Sequence, residues 1–149
     1  MKKFILLSLT LMLMACSAGT ASEFDRNKAT WDNAHLSDYR YTLSVSCFCA
    51  FTEEMPVTIE VQNDQVVSIT SVKGTVIDET NTMLYPIVEP YATIDHLFEQ
   101  LKSAQTDADE VTVVYDPIYG FPTSIAIDQI KDAVDDELYL TVENFEVLK

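Results

Sequence analysis

The amino-acid sequence predicts an α+β fold: an antiparallel sheet of about six strands with two helices packed on one face, in the order αβββ–αβββ. Three observations lead there. Apolar and polar residues alternate over a long stretch that begins at Tyr39, a period-two pattern that belongs to a half-buried strand. Further on, Ile94, Leu97, Phe98, Leu101 and Ala104 recur at helical spacing. Several shorter alternating runs, separated by turn residues, supply the remaining strands.

Taken in order, the first element is a helix. Ser22 is placed to cap it, with Asp25 three positions on and Phe24 and Trp31 on one face, and it should run to about Asn33. Tyr39, Tyr41, Leu43, Val45, Cys47, Cys49 and Phe51 then share one face of a strand, with Asp38, Arg40, Thr42, Ser44 and Ser46 on the other. With no Pro or Gly from Tyr39 to Phe51, this strand should be central or nearly so.

A second strand turns Val57, Ile59 and Val61 inward. After it, a three-residue loop at Asn63-Asp64-Gln65 would pair Val61 with Val67 and Ile59 with Ile69, keeping apolar residues together. Residues 73–92 have no clear period and contain Pro86 and Pro90, which reads as a long surface connection. Thr93 caps the second helix; strands follow at Val111 to Tyr115, Phe121 to Ile127 and Leu138 to about Val147. A helix followed by three strands occurs twice, which permits a duplicated unit, although the residues do not visibly repeat.

The first residues carry an address. Lys2 and Lys3 precede an apolar run, Phe4 to Met14, too short for a bilayer span of about 20 residues. The run ends in Leu13-Met14-Ala15-Cys16, which resembles the bacterial lipoprotein signal, the Cys16 thiol taking a diacylglyceryl group after residues 1–15 are removed. Residues 16–21 then form a small polar tether and residues 22–149 one α+β domain. Ser17 after the lipidated cysteine resembles lipoproteins sorted to the outer membrane, since Asp there is the usual inner-membrane retention signal. Processing removes two lysines and no acid, so the net charge moves from −15 to −17. That repels phosphate backbones and makes nucleic acid a poor partner; it suits cationic partners or divalent ions, or simply a solvated, self-repelling surface.

Three groups of residues could hold chemistry. With Cys16 lipidated, Cys47 and Cys49 are the remaining cysteines, in an oxidising compartment. In an extended strand their Cα atoms would stand nearly 7 Å apart, about the limit for a disulfide, so a bridge requires a local bulge. A redox pair or soft-metal site competes with a structural disulfide or buried thiols; a metal would want further ligands, and the only histidines are His35 and His96. The second group is the turn Tyr115, Asp116, Tyr119 and Phe121, which would serve as a binding loop or as a rigid hairpin in which Pro117 presets φ and Gly120 supplies a positive φ. The third is the acidic run Asp128, Asp132, Asp135, Asp136 and Glu137. It lacks the alternate spacing and the glycine of a calcium loop, as does Asp107-Ala108-Asp109-Glu110, so both read as solvated loops. Gly-x-Ser-x-Gly, His-Glu-x-x-His and phosphate or dinucleotide loops are all missing, which points away from an enzyme and from a bound cofactor or metal.

Trp31, Tyr39-Arg40-Tyr41, Cys47-Phe48-Cys49, the Tyr115 to Pro122 turn, Asp128 and Asp135-Asp136-Glu137 together resemble a family of small bacterial lipoproteins, domain of unknown function 6174, over about residues 25–147. The resemblance implies an envelope lipoprotein with an α+β domain and carries no activity. The expectation is a non-catalytic lipoprotein on the periplasmic face of the outer membrane, bound to the membrane through its lipid and to another envelope protein through its domain. Two alternatives are a thiol-redox or metal protein built on Cys47 and Cys49, and an inhibitor of a secreted enzyme.

Overall fold

Elements in the computed structural model follow from local signals that the chain carries in order; it describes residues 21–81 and 83–149. Helix α1 spans Glu23–Ala34 and opens on a capping box: the Ser22 hydroxyl accepts from Asp25 N–H at 3.1 Å, and the Asp25 carboxylate accepts from Ser22 N–H at 3.2 Å. His35, at φ 50°, ends it in the left-handed conformation. Trp31 is the buried residue of α1 and meets Tyr39, Phe121 and Phe145 edge-on at 5.4, 6.1 and 6.0 Å.

Strand β1, Tyr39–Ser46, buries Tyr39, Tyr41, Leu43 and Val45, as the alternation requires. It stops five residues short of the expected Phe51. Cys47-Phe48-Cys49 folds into a tight turn instead, with Cys49 N–H donating to the Cys47 carbonyl at 2.8 Å. The period survives in the side chains, since Phe51 is still buried, but the ladder does not.

Strands β2 (Val57–Gln62) and β3 (Gln65–Ser71) correct the hairpin. Ile59 faces Ile69 as expected, while Val61 faces Val66 and not Val67. Asn63 and Asp64, at φ 50° and 61°, form a two-residue loop with the backbone of the primed hairpin turns. A register shift beside Val61 absorbs the extra residue, and Val67 is left 52 % exposed. The bulge restores the apolar register that a longer loop would have given.

The connection after β3 is not a surface loop. It buries Ile77, Leu84 and Val88, holds a third, short helix α2 at Tyr85–Val88, and pairs Val76 with Thr70. Helix α3, Ile94–Asp107, is capped by the Thr93 hydroxyl, which accepts from His96 N–H at 3.0 Å, and buries all five residues of its stripe.

Strands β4 (Glu110–Tyr115), β5 (Pro122–Asp128) and β6 (Glu137–Val147) complete one sheet in the order β3-β2-β1-β6-β5-β4, antiparallel throughout, so β1 is near-central. Both long helices cover the face that carries Tyr39, whose hydroxyl accepts from Ile94 N–H at 3.2 Å. A rotation superposing one three-strand meander on the other would keep strand order, reverse strand direction and put the helices on opposite faces. They share a face, so the two halves are not copies of one unit.

Candidate functional site

The predicted site residues separate into three places. Cys47 and Cys49 sit at disulfide distance, their Cα atoms 5.1 Å apart, in the turn that ends β1. Both are half-buried against the core, and Phe48 between them is 82 % exposed. The sulfurs are packed inward and the aromatic ring is displayed.

The turn between β4 and β5 is built as a rigid hairpin. Asp116 Oδ1 accepts from Ile118 N–H at 2.9 Å and from Tyr119 N–H at 2.7 Å, and the Asp116 carbonyl accepts from Gly120 N–H at 3.0 Å. Gly120 has φ 78°, and a Cβ there would lie 2.5 Å from the Asn27 carbonyl oxygen, so α1 rests on this turn. Phe121 ends the turn, immediately before β5. It is buried, 4.5 Å from Phe145 between ring centroids, and Tyr119 joins the same cluster at 5.6 Å. Tyr115 stacks on Phe98 at 6.4 Å; burial, followed by the charge of Glu23, pushes its phenol up to about 12. Three of the four residues expected in a binding loop therefore hold the core together.

One carboxylate of the acidic run caps backbone. Asp136 Oδ2 accepts from Ile130 N–H at 2.7 Å, and the neighbouring Asp109 Oδ2 accepts from Lys131 N–H at 2.8 Å. Asp132 and Asp135 both take φ 69° in the loop. Glu110, Asp128 and Glu137 lie side by side across β4, β5 and β6. Burial, then the charges of Asp136, Glu137, Glu110 and Asp109, raise the Asp128 carboxyl above its ordinary value. Among the described residues, no three His, Cys, Asp or Glu side chains are placed to hold a metal ion.

The site that sequence reasoning missed lies at the β3 edge. A groove of about 540 Å³ runs between β3 and residues 76–80, with Val66, Val67, Val76 and Tyr85 on its walls. It continues into a depression of about 260 Å³ that shares Val66, Ile69 and Tyr85. One signal was available: Val66-Val67 puts two apolar residues in succession on a strand, and a strand with one face against the core leaves one of them outside.

Cys16 and the signal lie outside the described residues; none of the described helices is long and apolar enough to cross a membrane. Comparison with curated proteins finds no match, nor does comparison with solved structures. A family model described as a family of unknown function (DUF6174) matches residues 23–147, so the chain belongs to that family.

Proposed function

We propose that this protein is a non-catalytic, lipid-anchored binding module of the bacterial envelope, tethered through Cys16 at the periplasmic face of the outer membrane. The groove at the β3 edge carries this reading: Val66, Val67 and Val76 are 37, 52 and 64 % exposed along one side of the sheet, where the core makes no use of them. The hairpin turn supports it, because Asp116, Tyr119 and Phe121 are spent on local structure and packing.

The anchor is tested by fractionation. Cys16→Ser should leave the signal uncut or release the protein from membranes, since several acyl chains, at about 0.8 kcal/mol per buried CH₂, hold where one is marginal. Normal processing together with normal membrane retention would contradict it.

A thiol protein is the second reading, favoured by the Cys47–Cys49 pair in a surface turn. Replacing both cysteines by Ser separates the two. A binding module keeps its partner with some loss of stability, whereas a thiol protein loses its activity while remaining folded.

A further inference from the structure

The edge strand β3 is paired with β2 along its whole length, but its outer side is covered only in part. Ser71 N–H donates to the Thr75 carbonyl at 2.8 Å and Ile77 N–H to the Ile69 carbonyl at 2.9 Å, so residues 75–77 lie alongside the far half as a short extra strand. On this outer side, no strand among the described residues lies beside β3 from Val66 to Ser68. Sheet edges are usually blunted with Lys, Pro or a covering segment. This stretch has two exposed valines and neither Lys nor Pro.

The charge around the opening has one sign. Asp78 and Glu79 line the groove beside it, Asp64 and Glu89 line its continuation, and neither Lys nor Arg lines either part. The Thr80 hydroxyl and N–H donate to Asp78 Oδ1 at 2.6 and 2.9 Å, which holds that carboxyl below its usual range and keeps it ionised at neutral pH. Tyr85 lines both parts of the groove, and burial, then the charges of Glu89 and Glu79, raise its phenol.

We infer that the open half of β3 and its acidic groove bind an extended polypeptide segment of alternating apolar and cationic side chains, added as a strand in line with residues 75–77. The inference rests on the binding-module reading and names its partner's chemistry. Main-chain hydrogen bonds to the free edge supply affinity, and alternate side chains supply specificity. Apolar side chains cover Val66 and Val67, and Lys or Arg meets the carboxylates. Three open residues at about 3.4 Å each span roughly 10 Å. Since alternate residues turn their backbone groups outward, as Ile69 and Ser71 do, this stretch offers the main-chain hydrogen bonds of a short segment, and the side chains carry the rest. A second copy of this chain is disfavoured as the guest, since it would bring a net charge of −15 and the same acids.

The test is a titration of the full chain, in mild detergent, with three fluorescent octapeptides. One alternates Lys and Val, one replaces Lys with Glu, and one is the Lys/Val peptide N-methylated at alternate residues. The Lys/Val peptide should bind saturably and more weakly as salt rises, and the other two should bind at least tenfold more weakly. Val67→Lys, at an exposed position, and Glu79→Lys should each weaken binding at least tenfold with unchanged melting temperature. Val114→Lys on the opposite edge strand β4 should leave it unchanged. Three results would overturn the inference: equal binding of the Glu peptide, no effect of Val67→Lys and Glu79→Lys, or a dimer that Val67→Lys dissociates without any peptide binding. Failure here removes the strand-addition chemistry and leaves the lipid anchor untouched, because the anchor is read separately from the Cys16→Ser variant.

Discussion

Gly120 shows how a single residue can look like a binding feature and serve the fold. Its positive φ closes the hairpin, and its missing Cβ lets α1 settle on the turn. Gly120→Ala should cost about 1–2 kcal/mol for the left-handed backbone alone, and more because Asn27 and Thr30 must move. Urea denaturation measures it; a loss below about 0.5 kcal/mol would mean that α1 does not rest there.

Asp128 gives a pH signature at the same scale. Its carboxyl is raised in the folded protein by burial and by neighbouring acids, so protonation favours the folded state. The charged form therefore weakens the fold at neutral pH, and this loss is relieved as pH falls through the raised value. Asp128→Asn should raise the melting temperature at pH 7, with the gain shrinking toward pH 4. A gain that grows on acidification would contradict this. For Cys47 and Cys49, alkylation and mass measurement on protein taken straight from the envelope should find no free thiol. The enclosed loop is so short that reduction should cost well below the roughly 3 kcal/mol of a 15-residue loop.

Among the elements, those whose signals are local were legible. The Ser22 and Asp25 box, the stripe from Ile94 to Ala104 and the alternation from Tyr39 to Val45 each depend on neighbours within a few residues. What was not legible depended on contacts far along the chain or on covalent chemistry. Cys47, Cys49 and Phe51 keep the inward period while the backbone has already left the sheet. The bulge beside Val61 trades loop length for register, and both solutions bring Ile59 opposite Ile69. Pro86 and Pro90 made residues 73–92 read as loop, yet Leu84 and Val88, four apart, are buried in the core.

The central strand offers a direct check on register. Leu43 is fully buried and Ser44, one residue on, faces out between Thr141 and the edge of β2. Leu43→Ala should cost about 2–5 kcal/mol, while Ser44→Ala should cost far less. Equal losses in paired denaturation curves would mean that the faces are exchanged.

At the scale of the whole molecule, the sheet is covered on one face by two helices and closed at its centre by the β1–β6 pairing, where Arg40 and Glu146 meet at 2.7 Å. The other face is mixed: Ser44, Thr141 and Ser124 stand in one row across three strands, which ends at the exposed Val114. Exposed apolar side chains line the groove at the β3 edge, while Phe48, Ile118, Ile130 and Val134 are displayed singly on turns and loops elsewhere. None of this carried a signal in composition: the apolar fraction does not say which valines stay outside, and at β3 it is the bulge and the partly covered outer edge that expose Val66 and Val67.

The claim that this chain is an anchored binding module is tested most directly by site-specific photocrosslinking in intact envelopes, with the photoreactive residue placed in turn at positions 44, 48, 67 and 114 of the full chain. One envelope component should be captured from position 67 and not from position 114, and Cys16→Ser should abolish the capture. Equal, unsaturable labelling from every position, or no labelling from any, would contradict the claim.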